Sequence, residues 1–430
     1  MLLEMISTGE EVLSGQIVDT NAAWFADCMM NLGIELSRRS TVGDRMDDLV
    51  SIFRERSLVA DLILVNGGLG PTSDDLSAEA VARAADVPLI EHQGWRQHLE
   101  AWFQKRGRTM AATNLKQCLL PRGAILIDNP AGSAPGFRLK LNRAWLFFTP
   151  GVPAEFKPMV TDSFIPFMQQ EFGNGEATRL IKLLTFGHGE SALADRINAL
   201  AIPAGITLGY RPSVPHVEIK VFARGADAIA TQDAYVAQLQ SLLGDAVVTT
   251  RFSTLAEETH QVLLAQSGKL ALAESCSGGL LSSMLVEFPG SSNYLLHSVV
   301  TYSNAAKTHF LQVAEQTLLD HGAVSAETAV AMASGTRKQL NADYALAITG
   351  IAGPDGGTAE KPVGTVAIAL CDRDTEWVQV VQLSQRSRTL VRTMSCAIAL
   401  DMLRRRLLGT EPLVRYPFLP ATRSYQETVH

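Results

Sequence analysis

Short apolar runs that end in glycine-rich or hydroxyl-rich turns, each handing over to a stretch with apolar residues at helical spacing, recur along this chain and leave few folds open. Leu2 to Ser7 and Asp61 to Asn66 read as strands, with Trp24, Phe25, Cys28, Met29 and Leu32 on one helical face between them. Strands that are apolar on both faces need cover on both, so this succession predicts a mostly parallel sheet between two helical layers. Ala144 to Thr149 reads as a later strand, stopped by Pro150 and Gly151.

At 430 residues the chain is too long for one ordinary core. Turn formers at Glu171 to Thr178 interrupt the first block, giving a first domain over 1–170. The order strand, helix, strand, strand, helix, strand from 178 to 252 predicts a small α+β domain. Within it Val217, Ile219 and Val221 alternate with His216, Glu218 and Lys220, so the second face is expected to be solvated. A second alternating block fills 254–410, and 411–430, with Pro412, Pro417 and Pro420, reads as an irregular tail. The expected fold class is therefore α/β, with two doubly wound three-layer α/β/α domains joined by a small α+β domain.

A formal charge of −7 argues against a phosphate-backbone partner, so nucleic acid is disfavoured. Five scattered cysteines without CxxC spacing fit a reducing compartment and no zinc site, and a cytoplasmic location is expected. No apolar run approaches the roughly 18 residues of a spanning helix, so no membrane partner is expected.

In doubly wound sheets ligands bind beyond the carboxyl ends of the strands. Three polar clusters of the last block fall at such ends. In Glu274-Ser275-Cys276-Ser277-Gly278-Gly279 a strand turns into a helix, with Ser277 placed as N-cap. The turn is either an anion site, formed by Ser277, Gly278, Gly279 and the helix dipole, or a plain capped turn. The second cluster joins Gly290-Ser291-Ser292 to Thr301-Tyr302-Ser303-Asn304-Ala305-Ala306-Lys307. A serine becomes a nucleophile when a base takes its proton, and a desolvated lysine near a helix N-terminus is such a base. The competing reading of Lys307 is a solvated side chain snorkelling from its helix. The third cluster runs from Ile348-Thr349-Gly350 through Gly357.

Ala273-Glu274-Ser275-Cys276-Ser277-Gly278-Gly279, Pro289-Gly290-Ser291-Ser292, Val300-Thr301-Tyr302-Ser303-Asn304, Gly322-Ala323-Val324-Ser325 and Gly350-Ile351-Ala352-Gly353-Pro354 resemble, in this order, the C-terminal domains of the CinA family. The resemblance implies deamidation of nicotinamide mononucleotide to nicotinate mononucleotide and ammonia by a serine–lysine mechanism that needs no cofactor. It places the nucleophile on Ser292, the general base on Lys307 and supporting hydroxyls on Tyr302 and Thr349. Ser303, four residues before Lys307, competes with Ser292 on spacing. The family's phosphate-binding Gly-Asp-Arg segment matches Ser384-Gln385-Arg386-Ser387-Arg388, where Arg388 keeps the spacing to Arg392 while Arg386 and Ser387 replace the glycine and the acid.

In the first block Asn66-Gly67-Gly68-Leu69-Gly70-Pro71-Thr72-Ser73-Asp74-Asp75 follows a strand and opens a helix, but lacks the GxGxxG and P-loop patterns. Its acids either hold a cation beside a phosphate or simply complement the helix dipole. With Thr8-Gly9-Glu10-Glu11, Gln16, Asn21, Gly43-Asp44 and Thr149 to Lys157, it resembles the family's N-terminal domain, which is related to molybdopterin-binding domains. That resemblance implies Gly67, Gly68 and Gly70 near phosphates, and Glu11, Asp44 and Asp75 around Mg2+ or another divalent cation, in a domain that in some members hydrolyses ADP-ribose. It further implies a homodimer acting on small nucleotides. The alternative is a non-catalytic nucleotide- or pterin-binding regulator associated with competence or DNA damage.

Overall fold

A computed structural model describes residues 1–383, 387–417 and 421–428. The chain forms two compact units, Met1–Arg179 with Arg224–Ala226, and Leu180–Ala223 with Asp227–His430.

The first unit holds a six-stranded sheet. Leu36–Val42, Leu3–Thr8, Leu62–Asn66 and Ala144–Thr149 run parallel in that order, and Gly136–Leu141 and Ile125–Ile127 complete it antiparallel. Successive side chains point oppositely, and in the three central strands Leu3–Thr8, Leu62–Asn66 and Ala144–Thr149 both sets are largely buried, while the edge strand Leu36–Val42 is mostly exposed. Ile6, Ile63 and Val65 pack with Leu49, Phe53, Ala80 and Val81, while Leu3, Met5, Leu62 and Leu64 pack with Phe25, Met29, Phe156 and Phe164. The expected stripe lies on the helix Thr20–Asn31 and joins the second cluster. The antiparallel edge arises where Asn142, at φ 50°, tightens the turn between Leu141 and Ala144.

The second unit contains a four-stranded and a six-stranded sheet. The four-stranded sheet has the order Ile206–Ser213, His216–Arg224, Thr178–Phe186, Val247–Thr249, with helices Glu190–Ile197 and Ala226–Leu243. Val217, Ile219 and Val221 enter its core as the alternation requires. The opposite face departs from expectation, since Glu218 is only 5% exposed and lies over a cavity rather than open solvent. Leu184, Phe186 and Val248 of this sheet share one buried cluster with Leu255, Leu272 and Met394, which accounts for the two sheets forming one unit.

In the last sheet Leu295–Val300, Leu270–Glu274 and Tyr344–Gly350 are parallel, and Thr365–Cys371, Thr375–Gln382 and Ala421–Thr428 follow antiparallel. One face carries Leu270, Leu272, Leu346 and Ile348 against the helices Leu255–Gln266 and Arg388–Leu407. The other carries Ala271, Ala273, Ala345 and Ala347, whose small side chains let the helix Ala326–Gln339 pack against them. The tail is not irregular throughout, because Ala421–Thr428 adds the sixth strand by pairing with Thr375–Gln382. Prolines mark turns well, but a strand at a sheet edge needs only an unpaired neighbour and carries a weak local signal. No helix is long and apolar enough to cross a membrane among the described residues.

Candidate active site

The parallel strands Leu270–Glu274, Leu295–Val300 and Tyr344–Gly350 all end at one edge of the last sheet, and their outgoing turns meet there. Ser275 N–H donates to the Ile348 carbonyl at 2.9 Å and Thr301 N–H to the Glu274 carbonyl at 2.8 Å, tying the three ends together.

The turn after Leu270–Glu274 is built by a buried acid. Glu274 is 0% exposed, and its carboxylate accepts the N–H groups of Gly279 at 2.9 Å, Leu281 at 3.1 Å and Ser282 at 2.9 Å. These are amides that the start of a helix leaves without intrahelical partners, and an anion there also meets the positive end of the dipole. Gly278 and Gly279 sit at φ 60° and 90°, a conformation that side-chain-bearing residues rarely adopt. Ser277 is thus not the N-cap. Gly279 holds that position, and Glu274 supplies the missing acceptor from the preceding strand. The freed Ser277 hydroxyl is wholly buried without a hydrogen-bond partner, as is that of Thr301. Buried hydroxyls left unpaired within the chain mark places where a ligand or water supplies the partner.

Lys307, on the helix Asn304–Leu311, is 1% exposed. Its Nζ lies 3.2 Å from Ser275 Oγ and 2.9 Å from the Thr301 carbonyl. Burial lowers its pKa, opposed by the nearby Cys276 thiol. It is therefore a desolvated amine facing a hydroxyl and not a snorkelling side chain. Burial pushes the Cys276 thiol up to about 11, which disfavours its thiolate at neutral pH.

Ser292 lies elsewhere. It is exposed in the short 3₁₀ turn Ser291–Asn293 before Leu295–Val300, at the edge where the Leu270 amide bonds the Tyr294 carbonyl. Lys307 follows the far end of that strand, and its six residues alone span about 20 Å. Within one chain Ser292 does not meet Lys307, a correction that follows from strand direction. Ser303 is no closer to the role, because its Oγ accepts the Ala306 N–H at 3.1 Å as the helix N-cap. Ser275 was not singled out from sequence. Its signal was present as the first residue past the strand, where side chains of parallel strands converge.

Thr349 is buried at the third strand end and donates to the Ala323 carbonyl at 2.7 Å. Tyr302 is exposed, and its hydroxyl accepts Nη2 of Arg388 at 3.0 Å. Arg388 also donates to the Gly353 carbonyl at 2.8 Å, and Arg392 donates twice to the Ser277 carbonyl, at 3.0 and 2.6 Å. The last helix thus sets two cations at the mouth of the Ser275–Gly279 turn. Arg386 falls outside the described residues.

The first unit holds a separate cavity of about 500 Å³, lined by Gly67, Gly68, Gly70, Glu11, Asp44 and Asp75 among others, so the predicted residues do gather there. The glycines are demanded by packing. A Cβ on Gly67 would stand 2.6 Å from the Thr8 carbonyl oxygen, and one on Gly68 2.4 Å from Ser77 Oγ. Asp75 does not lie in the first turn of the helix Ser77–Ala84 but accepts the Thr72 N–H at 2.9 Å across a turn. Asp44 accepts the Glu10 N–H at 3.1 Å, and burial first, then the charges of Glu11, Asp74 and Asp75, raises its pKa. The negative field suits a cation, yet no three His, Cys, Asp or Glu side chains are arranged to hold a metal ion among the described residues. Glu11, Asp44 and Asp75 line this one cavity, which is the arrangement the resemblance implied for them.

Comparison with known proteins adds the following. Residues 4–170 match the family described as "Probable molybdopterin binding domain", and residues 252–407 match "CinA C-terminal domain". A "CinA-like protein" of Shewanella sp. (strain MR-4) is 60% identical over 97% of this chain and 98% of its own length. A Shewanella oneidensis protein named "Nicotinamide-nucleotide amidohydrolase PncC" is 59% identical over the same shares. Among solved structures, the competence/damage inducible protein CihA from Agrobacterium tumefaciens is 38% identical, with 37% of this chain and 99% of that one covered and a TM-score of 0.35.

Proposed function

The chain belongs to the CinA family, and from that premise we propose that its C-terminal part is a nicotinamide-nucleotide amidohydrolase, converting nicotinamide mononucleotide to nicotinate mononucleotide and ammonia, with Ser275 as nucleophile and Lys307 as base. The observation that carries the mechanism is the buried Lys307 Nζ at 3.2 Å from Ser275 Oγ. A neutral amine there accepts the hydroxyl proton as Oγ attacks the carboxamide carbon. The ammonium so formed returns that proton to the departing nitrogen, ammonia leaves, and the acyl group remains esterified to Ser275. Water then attacks the ester, Lys307 again carrying the proton, and the carboxylate product frees the serine.

The transient oxyanion needs preorganised donors. The Gly279 amide is taken by Glu274 and the Gly278 amide by the Ser275 carbonyl, so we assign the role to the Cys276 and Ser277 amides with the unpaired Ser277 hydroxyl. Arg388 and Arg392 are the cations available to the substrate phosphate, and Tyr302 and Thr349 shape the site around the ring. The deciding experiment is ammonia release from nicotinamide mononucleotide by purified protein with excess chelator. Undiminished release supports the reading, and no release with or without added metal overturns it.

The cavity of the first unit supports a second reading, a nucleotide site for which ADP-ribose is the candidate. Its volume of about 500 Å³ suits such a ligand. Binding is the part of this reading that the cavity's size and lining support. Saturable binding of ADP-ribose without turnover across several divalent cations would leave this unit a binding module. A cytoplasmic homodimer completes the proposal, and sedimentation as a monomer at micromolar concentration would refute the dimer.

A further inference from the structure

Two arginines of the helix Arg388–Leu407 reach the Ser275–Gly279 turn, and they sit differently. Arg388 is exposed and bonds the Tyr302 hydroxyl and the Gly353 carbonyl. Arg392, one helical turn on, is half-buried, and both donors of its Nε–Nη2 edge converge on the Ser277 carbonyl oxygen, at 3.0 and 2.6 Å. The Leu280 N–H reaches the same oxygen at 3.3 Å, and the N–H of the same peptide group, that of Gly278, donates to the Ser275 carbonyl at 3.1 Å. The Ser277–Gly278 peptide is therefore held on both sides. At the start of the turn the Ser275 N–H is held by the Ile348 carbonyl at 2.9 Å. Between these two anchors lie the amides of Cys276 and Ser277, the pair left to meet an oxyanion.

Gly278 and Gly279 lie at φ 60° and 90°, and glycine moves between backbone wells more freely than any other residue. A turn built on them keeps its amides aligned only when groups outside it hold the backbone. A guanidinium that brings two donors to one carbonyl does so with charge-assisted bonds, stronger than the neutral bonds around them. We propose, on the amidohydrolase reading of this site, on which the assignment rests, that Arg392 is a positioning residue for the oxyanion hole and that Arg388 alone carries the substrate phosphate. By holding the Ser277 carbonyl, Arg392 keeps the Cys276 and Ser277 amides aimed where the oxyanion forms. To take a phosphate with the same edge it would have to release the turn. Arg388 gives up only bonds to a neutral hydroxyl and a neutral carbonyl.

The test compares full-length wild type, Arg392→Ala, Arg392→Lys and Arg388→Ala in turnover of nicotinamide mononucleotide and nicotinamide riboside, and in calorimetric binding of nicotinate mononucleotide. Arg392→Ala should lower kcat on the mononucleotide at least ~10-fold, within the ~10²–10³-fold that a lost oxyanion donor costs. It should lower kcat/KM on the riboside by the same factor. Its KM for the mononucleotide and its affinity for nicotinate mononucleotide should stay within about threefold of wild type, whereas Arg388→Ala weakens that binding. Arg392→Lys keeps the charge but offers a point donor in place of a fork, so it should show the same pattern to a smaller degree. Its kinetics decide should a thermal melt show that Arg392→Ala is unfolded. A rise in KM confined to the mononucleotide with kcat kept, or loss of nicotinate mononucleotide binding in Arg392→Ala, makes Arg392 a phosphate anchor and overturns the proposal. Wild type that binds nicotinate mononucleotide but releases no ammonia from either substrate overturns the amidohydrolase reading, and the proposal with it.

Discussion

The carboxylate of Glu274, the last residue of its strand, accepts the N–H of Gly279 five residues on at 2.9 Å, so the turn that carries Ser275 is held by the strand it leaves. Two further amides, of Leu281 and Ser282, converge on the same group. Replacing it by an amide keeps the shape but turns one accepting oxygen into a donor aimed at N–H groups. Glu274→Gln is expected to lower the unfolding free energy by about 1–3 kcal/mol in urea denaturation and to reduce kcat along with it. Wild-type stability in this variant would show that the turn does not depend on the carboxylate.

Ser275→Ala and Lys307→Ala should each lower the turnover of nicotinamide mononucleotide by at least ~10³-fold, and the double variant little further, because the two act as a unit. Ser292→Ala and Ser303→Ala should stay within a few-fold of wild type. Abolition by Ser292→Ala with Ser275→Ala active would mean that the nucleophile enters the site from a second chain, since one chain keeps Ser292 at the opposite sheet edge.

Activity should rise with pH through the lowered pKa of Lys307, because only the neutral amine accepts a proton from Ser275. The stability effect has the same sign. Between the folded value and the ordinary 10.5 of the unfolded chain, the unfolded state binds the extra proton, so stability increases with pH across that window. The melting-temperature difference between Lys307→Met and wild type should therefore shift in favour of wild type as pH is raised toward 10.5. A pH-independent difference would place a solvated, ordinary lysine at this position.

Cys276, with its thiol pushed up to about 11, should resist iodoacetamide at pH 7.5 in the native protein, as followed by mass spectrometry, and Cys276→Ala should keep most of its activity. Rapid alkylation that tracks loss of activity would point instead to an accessible thiolate in the site.

Arg388→Ala should raise KM for nicotinamide mononucleotide by about tenfold, consistent with a charge-assisted hydrogen bond, while leaving kcat within a few-fold. Nicotinamide riboside, lacking the phosphate, should be nearly insensitive to the change. Equal losses on both substrates would make Arg388 a support for Tyr302, whose hydroxyl it bonds at 3.0 Å, rather than a phosphate anchor.

Much of this protein follows from local pattern. The runs around Leu62–Asn66, Ala144–Thr149 and Leu270–Glu274 become strands because all but their last positions are apolar, and a polar residue at the end of each leads into a turn. The glycines after Glu274 announce a turn of unusual backbone geometry, and positive φ at Gly278 and Gly279 is what that turn contains. Lys307 was legible as a candidate base from its place in the first helical turns, but its burial was not. The edge strand Ala421–Thr428 and the covered Glu218 face escaped pattern reading, since both depend on what packs alongside and not on the segment itself.

Sequence by itself determined the strand and helix periods, the placing of hydroxyls and glycines at strand ends, and the family resemblance, all of which are properties of neighbouring residues. Which serine faces the lysine was decided only by tertiary structure. Ser275, Ser292 and Ser303 are equivalent as residues, but parallel strands carry their outgoing turns to one edge and their incoming turns to the other. Ser275 and Lys307 therefore meet at hydrogen-bond distance, the N-cap bond occupies Ser303, and the length of a strand separates Ser292 from both.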